Sequence, residues 1–184
     1  GKGYAFAEED AHKYHGVTPF EPEDGKFLKK NLPRTAISIS QDFGNKLGKL
    51  MARDEQVVVV TAAMLSGTGI IKLQPKYPER VLDVGIAEGH AVTCSAGIAT
   101  SGCKPFVAIY STFLQRALDH IIHDVAIQQL PVRFMLDRAG FVGADGPTHH
   151  GLYDLTYLRM SPNMTIMVPR DGEELRGMME LALS

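Results

Sequence analysis

The sequence predicts an α/β fold, a mostly parallel sheet with helices on both faces. From residue 37 onward, short apolar runs rich in β-branched residues alternate with longer amphipathic stretches. The short runs are continuously apolar, as strands buried on both faces must be, and so imply parallel pairing with helical crossovers. Size agrees: 184 residues, 45% of them hydrophobic, suit one domain of roughly 100–200 residues with an appendage.

Residues 1–36 are rich in Lys, Glu, Asp, Gly and Pro and carry no sustained apolar period. They read as a linker or the tail of a preceding domain, leaving 37–184 as the domain proper. Ser38 and Ser40 are both candidate N-caps for a helix whose Phe43, Leu47, Leu50 and Met51 share one face. The β-branched run 57–61 is a buried strand. A strand at 81–84 leads into a helix from about 88 to 101 with small residues Ala91, Ala96 and Ala99. A strand at 106–109 leads into a helix from about 113 to 129. After a strand at 132–136 comes a glycine-rich stretch, 138–151. The segment 165–168 is the last strand, and Asp171 with Glu174 resembles a capping box opening the final helix.

Charge narrows the function. Lys+Arg 19 against Asp+Glu 21 leaves a net charge of -2, with no cationic excess to release counterions from nucleic acid. No apolar run reaches the ~20 residues of a spanning helix, and the first residues are too acidic and polar for a signal peptide. Cys94 and Cys103 form no disulfide framework and suit a reducing compartment. A soluble intracellular domain is therefore expected, with neither nucleic acid nor membrane as partner. The absence of an initiating Met and a final residue inside a helical pattern predict a piece of a longer chain.

In a doubly wound sheet the ligand lies outside the carboxyl ends of the strands, and those ends are the most chemically loaded stretches here. In 83–93 (DVGIAEGHAVT), Glu88 follows a strand at the start of a helix. A glutamate there complements the helix dipole; held between Ile86, Ala87 and Val92, it would also be desolvated and able to share a proton with a basic ligand nitrogen. In 109–126, Phe113 sits at a strand-to-helix junction with Arg116 close behind. A Phe there is ordinarily core and an Arg ordinarily solvated, unless the cleft below holds an anion. His120, His123 and Asp124 have metal-ligand spacing on a regular helix, but no further ligand cluster accompanies them, and helix packing or an oligomer surface is the better reading. The stretch 136–151 (LDRAGFVGADGPTHHG) gathers Asp137, Arg138, Asp145, His149 and His150 among four glycines. Such a stretch is poor core and good active-site loop. It lacks the Gly-Lys-Ser/Thr ending of a phosphate-binding Walker loop.

Taken in order, KGYAFAE, KYHGV, AAMLSGTG, DVGIAEGHAVT, KPFVAIYSTFLQRALDHIIHDVAIQ, DRAGFVGADGPTHHG and MTIMVPRDGEEL resemble the 1-deoxy-D-xylulose-5-phosphate synthase family. These are thiamine-diphosphate enzymes related to transketolases. The likeness runs along the whole chain, and YSTFLQRA with the GADG and TH pair is particular to this family. It implies the transketolase-type pyrimidine-binding fold, preceded in 1–36 by the end of a diphosphate-binding domain. It also implies condensation of pyruvate with glyceraldehyde 3-phosphate with loss of carbon dioxide, feeding isoprenoid, thiamine and pyridoxal synthesis.

Position by position, the resemblance assigns Glu88 to N1′ of the cofactor's aminopyrimidine and Phe113 to stacking on that ring. Tyr4 becomes a further aromatic cofactor contact, and His15 faces the reacting centre. Tyr110, Arg116, Arg138, Asp145 and His149 become substrate-side residues, with His149 also catalytic and Arg138 suited to a phosphate. No Gly-Asp-Gly metal and diphosphate motif occurs in these residues. The resemblance thus places Mg2+ and the diphosphate on another domain, with no metal ligand here. A homodimer in bacterial cytoplasm or plastid stroma is implied, and the fragment alone is expected to be inactive. Two positions depart from the family's usual reading: Gly89 stands for Gln and Ala62 for Pro. Gly89 would loosen the helix start by ~0.5–1 kcal/mol relative to Ala. Another thiamine enzyme of the superfamily, or a non-catalytic dimerisation module, are the alternative readings.

Overall fold

Five consecutive residues, Val57–Thr61, form strand β1, and all five are buried. The chain is seen in a computed structural model that describes residues 2–11, 13–28, 37–143 and 145–184. Strands β2 (Val81–Asp83), β3 (Lys104–Tyr110) and β4 (Arg133–Asp137) complete one parallel sheet in the order β2-β1-β3-β4. With neighbours on both edges and helices on both faces, β1 has no solvated side, which accounts for its unbroken apolar run.

Two helical layers cover the sheet, each using alternate strand residues. On one face, helix α2 (Ile39–Arg53) and helix α7 (Gly172–Leu183) bring Leu47, Leu50, Met51, Leu175 and Met179 onto Val57, Val59, Phe106 and Ala108. On the other, helix α3 (Glu88–Thr100), helix α6 (Asp154–Met160) and a broken helix meet Val60, Val107 and Ile109. This is the predicted α/β class. No helix of the described residues is long and apolar enough to cross a membrane.

The helix ends follow the local sequence with two refinements. Ser38 caps α2 through a full capping box, its Oγ accepting from Gln41 N at 3.1 Å while Gln41 Oε1 accepts from Ser38 N at 3.2 Å. Asp171 caps α7 by accepting from Glu173 N and Glu174 N, both at 3.0 Å. Glu174, however, reaches Arg170 N at 2.7 Å, one residue before the cap, so the box is displaced.

Two expected elements are different. The helix predicted over 113–129 begins at Ser111 and is broken into α4 (Ser111–Leu114), a 3-10 turn (Gln115–Ala117), α5 (Leu118–His120) and a π turn (Ile121–Ala126). An overwound turn followed by an underwound one cancels in phase. Leu114, Ala117, Ile121 and Val125 thereby all stay buried. The strand predicted at 165–168 is absent. Met164 and Ile166 pack by their side chains into the cluster that includes Phe134 and Leu136 of β4, but no backbone ladder forms and Val168 stays exposed.

Residues Gly1–Ala36 form a unit of their own, distinct from Ile37–Ser184; the predicted tail's residues 29–36 lie outside the described residues. Around the short helix α1 (Ala5–Glu9), Tyr4, Phe6, Tyr14, Phe20 and Phe27 gather with ring centroids 5.3 to 5.8 Å apart. Irregularly spaced aromatics give a small cluster without any period in sequence.

Leu50 is wholly buried between α2 and the sheet; Leu50→Ala should cost about 3 kcal/mol in urea unfolding. At the end of α2, Lys104 Nζ donates to Asp54 Oδ2 at 2.9 Å and holds that carboxyl below the usual carboxylate range. A depressed folded value stabilises above the unfolded value, and that contribution fades as pH falls through the folded one. Stability should therefore decline below about pH 4, and less steeply in Asp54→Asn, as thermal melts across pH would show.

Candidate functional site

Connections fan out from the centre of the sheet: β1 leads to β2 on one side, and the chain then crosses to β3 and β4 on the other. The crevice of such a switch point lies outside the carboxyl ends of β1 and β3. Register puts Thr61 beside Asp83 and Tyr110 beside Asp137, so these ends form one rim. Asp83 Oδ1 accepts from Ala63 N at 2.8 Å and Gly85 N at 3.0 Å, fixing the first turns after β1 and β2. Ala63 is held there at φ 58, a conformation uncommon for a residue with a side chain.

Glu88 is the first residue of α3 and only 5% exposed. Its Oε1 accepts from Arg116 Nη1, which balances a charge otherwise costly to bury. The Arg116 guanidinium also lies over the Phe113 ring, 5.2 Å from its centroid. Phe113 stacks on Tyr110 with centroids 5.5 Å apart and planes 9° from parallel. His149, in the 3-10 turn Pro147–His149, sets its ring edge-on at 5.3 Å from Phe113 and 6.4 Å from Tyr110. Arg138 covers the Tyr110 ring at 4.8 Å and pairs with Asp137 Oδ1 at 2.9 Å and Asp145 Oδ2 at 3.3 Å. Burial raises the Tyr110 phenol, with Arg138 opposing. Burial pulls Arg138 down, but Tyr110, Asp137 and Asp145 outweigh it and hold the guanidinium charged.

Seven predicted residues thus form one contact set running Glu88, Arg116, Phe113, Tyr110, Arg138 and Asp145, with His149 against both rings. The loop carrying the last three is closed at its base where Gly140 and Gly151 exchange hydrogen bonds at 2.8 and 2.9 Å. Tyr4 and His15 belong to the other unit: the Tyr4 hydroxyl donates to Pro22 O at 2.9 Å, and His15 is exposed. His120, His123 and Asp124 do not converge. His123 Nδ1 lies 2.8 Å from Asp124 Oδ1, Thr93 donates to Asp124, and His120 packs elsewhere. Among the described residues no group of three or more His, Cys, Asp or Glu is placed to hold a metal ion. Sequence reasoning missed the supports. These are Asp83, the Ser40–Asp137 contact, and a buried hydrogen bond of 2.7 Å from Ser111 Oγ to Asp154 Oδ2 joining α4 to α6. Each pairs residues distant in sequence, and only the acid at a strand end signals Asp83 and Asp137.

Comparison with known proteins places the rim in context. Residues 35–184 match the family model described as the transketolase pyrimidine binding domain. A 1-deoxy-D-xylulose-5-phosphate synthase of Syntrophus aciditrophicus is 54% identical over 184 residues, covering 100% of this chain and 28% of the relative. One of Aquifex aeolicus is 52% identical over 179 residues, covering 97% and 28%. A solved split-gene transketolase, described as an inactive β4 tetramer, aligns with TM-score 0.70 at 28% identity, covering 80% of this chain and 48% of that one. The chain therefore spans about 28% of the length of these curated relatives.

Gly89 has a close neighbour in His120. A Cβ at that position would stand 2.7 Å from His120 Cε1 and 2.9 Å from Nε2, so the imidazole occupies the space a side chain would need. His120 Nδ1 is buried there without a hydrogen-bond partner among the described residues. Propensity alone makes Ala better than Gly in a helix by ~1 kcal/mol, whereas overpacking costs about 1–3 kcal/mol. Gly89→Ala should therefore lower the melting temperature, and adding His120→Ala should recover much of that loss.

Proposed function

Because the chain belongs to the transketolase pyrimidine-binding family, we propose that its strand-end rim clasps the aminopyrimidine end of thiamine diphosphate. The enzyme it would serve is a 1-deoxy-D-xylulose-5-phosphate synthase, joining pyruvate to D-glyceraldehyde 3-phosphate with loss of carbon dioxide. Relatives at 52% and 54% identity carry that name. The observation that carries the reading is a buried carboxylate, Glu88, at the carboxyl-end rim of the sheet, where the parallel Tyr110 and Phe113 rings also lie. A flat heteroaromatic ring with a basic nitrogen fits that donor set: one carboxylate oxygen for the nitrogen and an aromatic face for the ring.

Bound thiamine diphosphate supplies an acidic thiazolium C2, which opens decarboxylation and carbon–carbon bond formation to an enzyme. The protein's part is orientation and proton placement. Arg116 engages Glu88 Oε1, and Oε2 is the atom assigned to N1′, where the carboxyl holds a proton. Phe113 fixes the plane of the pyrimidine. Arg138, planar and always charged, binds the phosphate of the aldehyde substrate, while Tyr110 supports its underside. His149 and Asp145 face the reacting carbonyls. Mg2+ and the diphosphate fall to regions the longer relatives possess, within a cytoplasmic or plastid homodimer.

Glu88→Ala in the complete protein should abolish exchange of the cofactor's C2 proton, followed by NMR in deuterium oxide; exchange at the unaltered rate would refute the assignment. The 184 residues alone should show no micromolar affinity for thiamine diphosphate by calorimetry, because half of the contacts lie elsewhere.

A further inference from the structure

Two serines open helix α2, and only Ser38 caps it. Ser40, the second residue of the helix, donates from Oγ to Asp137 Oδ2 at 2.5 Å, linking positions 97 residues apart. The other oxygen of that carboxylate, Oδ1, accepts from the Arg138 backbone N at 2.8 Å and from Arg138 Nη1 at 2.9 Å. Arg138 itself sits at φ 60, a left-handed conformation that a residue with a side chain keeps only when its surroundings impose it. Asp137 Oδ1, gripping both ends of Arg138, is such an imposition.

A carboxylate rotates about a broad, roughly two-fold torsion, so one hydrogen bond does not decide its plane. A second bond on the opposite oxygen does. Ser40 is a firm anchor for that bond. The capping box pins its turn, and Gly69, at φ +77, approaches so closely that a Cβ there would lie 2.1 Å from Ser40 O. The order of support is therefore Gly69 against Ser40, Ser40 on Asp137, and Asp137 on both the backbone and the guanidinium of Arg138. On its far side Arg138 meets the Tyr110 ring and Asp145.

We propose that Ser40 is a positioning residue which, through Asp137, aims Arg138 at the phosphate of the phosphorylated substrate. The inference rests on the reading of Arg138 as the phosphate-binding arginine. A purely structural tie between α2 and β4 would affect all substrates and the fold alike. A positioning role would instead appear only where the phosphate is bound, because misaligned bidentate donors weaken ligand binding without touching remote chemistry.

The experiment is steady-state kinetics on the complete protein with pyruvate and either D-glyceraldehyde 3-phosphate or unphosphorylated D-glyceraldehyde, together with C2 proton exchange. Ser40→Ala should raise KM for the phosphorylated aldehyde by about tenfold, a typical effect of losing one positioning contact. It should leave the KM for pyruvate, kcat/KM for unphosphorylated glyceraldehyde and C2 exchange unchanged. Ser40→Thr should restore the wild-type value, and the isosteric Asp137→Asn should show the same split as Ser40→Ala. Arg138→Ala separates the two levels of the argument. If it leaves the preference for the phosphorylated aldehyde intact, the phosphate reading of Arg138 fails and the inference falls with it. If it removes that preference while Ser40→Ala and Asp137→Asn both retain it, the reading of Arg138 stands and the inference about Ser40 is overturned. A uniform loss on both aldehydes in Ser40→Ala and Asp137→Asn would likewise overturn it.

Discussion

Everything at the rim depends on the double ladder of β1. Its backbone pairs with β2 on one edge and β3 on the other, so no residue of Val57–Thr61 is free to shift alone. A one-residue slip would turn Val57 and Val59 toward the opposite helical layer and expel one core from each face. It would also part Thr61 from Asp83 and carry the first turn after β1 away from the carboxylate that holds it. The rim is therefore an outcome of register. Glu88, Tyr110, Arg138 and their neighbours meet because three parallel pairings end at nearly the same height.

How far this is legible in sequence varies with the range of the interaction. β1 and α2 are plain, since burial on both faces leaves a continuous run, and Ser38 with Gln41 is a local cap. The break in the helix after β3 leaves no such trace. No Gly or Pro lies in Ser111–Ala126, and the compensating turns preserve the apolar spacing of a regular helix. Segment 165–168 misleads for a related reason: apolar residues facing a core look alike whether the backbone joins a ladder or only the side chains pack.

The rim divides similarly. The strand-end rule points to Glu88, Tyr110 and Arg138, but not to what each one touches. The resemblance makes Arg116 a substrate-side residue, and the fold adds that its guanidinium lies on Glu88. Two serines two residues apart look equivalent as caps, and only the fold separates them, turning Ser38 to its own helix and Ser40 to Asp137. Gly89 reads as a loosened helix start. The imidazole filling its missing volume comes from an element 31 residues away in sequence whose broken geometry was itself unreadable.

Charge at the rim is arranged in closed pairs: Glu88 with Arg116, and Arg138 between Asp137 and Asp145. A carboxylate as buried as Glu88 costs several kcal/mol to hold unpaired, whereas the more exposed Arg138 pairs contribute less. Pairing them internally keeps the rim folded before any ligand arrives. It also sets the terms of binding. On the proposed reading, a ligand nitrogen at Glu88 or an anion at Arg138 must share or exchange an existing partner, and that exchange returns little net electrostatic energy. Discrimination then falls to geometry: the plane of the Phe113 and Tyr110 rings, and the angle at which Arg138 is presented. On that reading, supports that contact no ligand decide what the rim recognises.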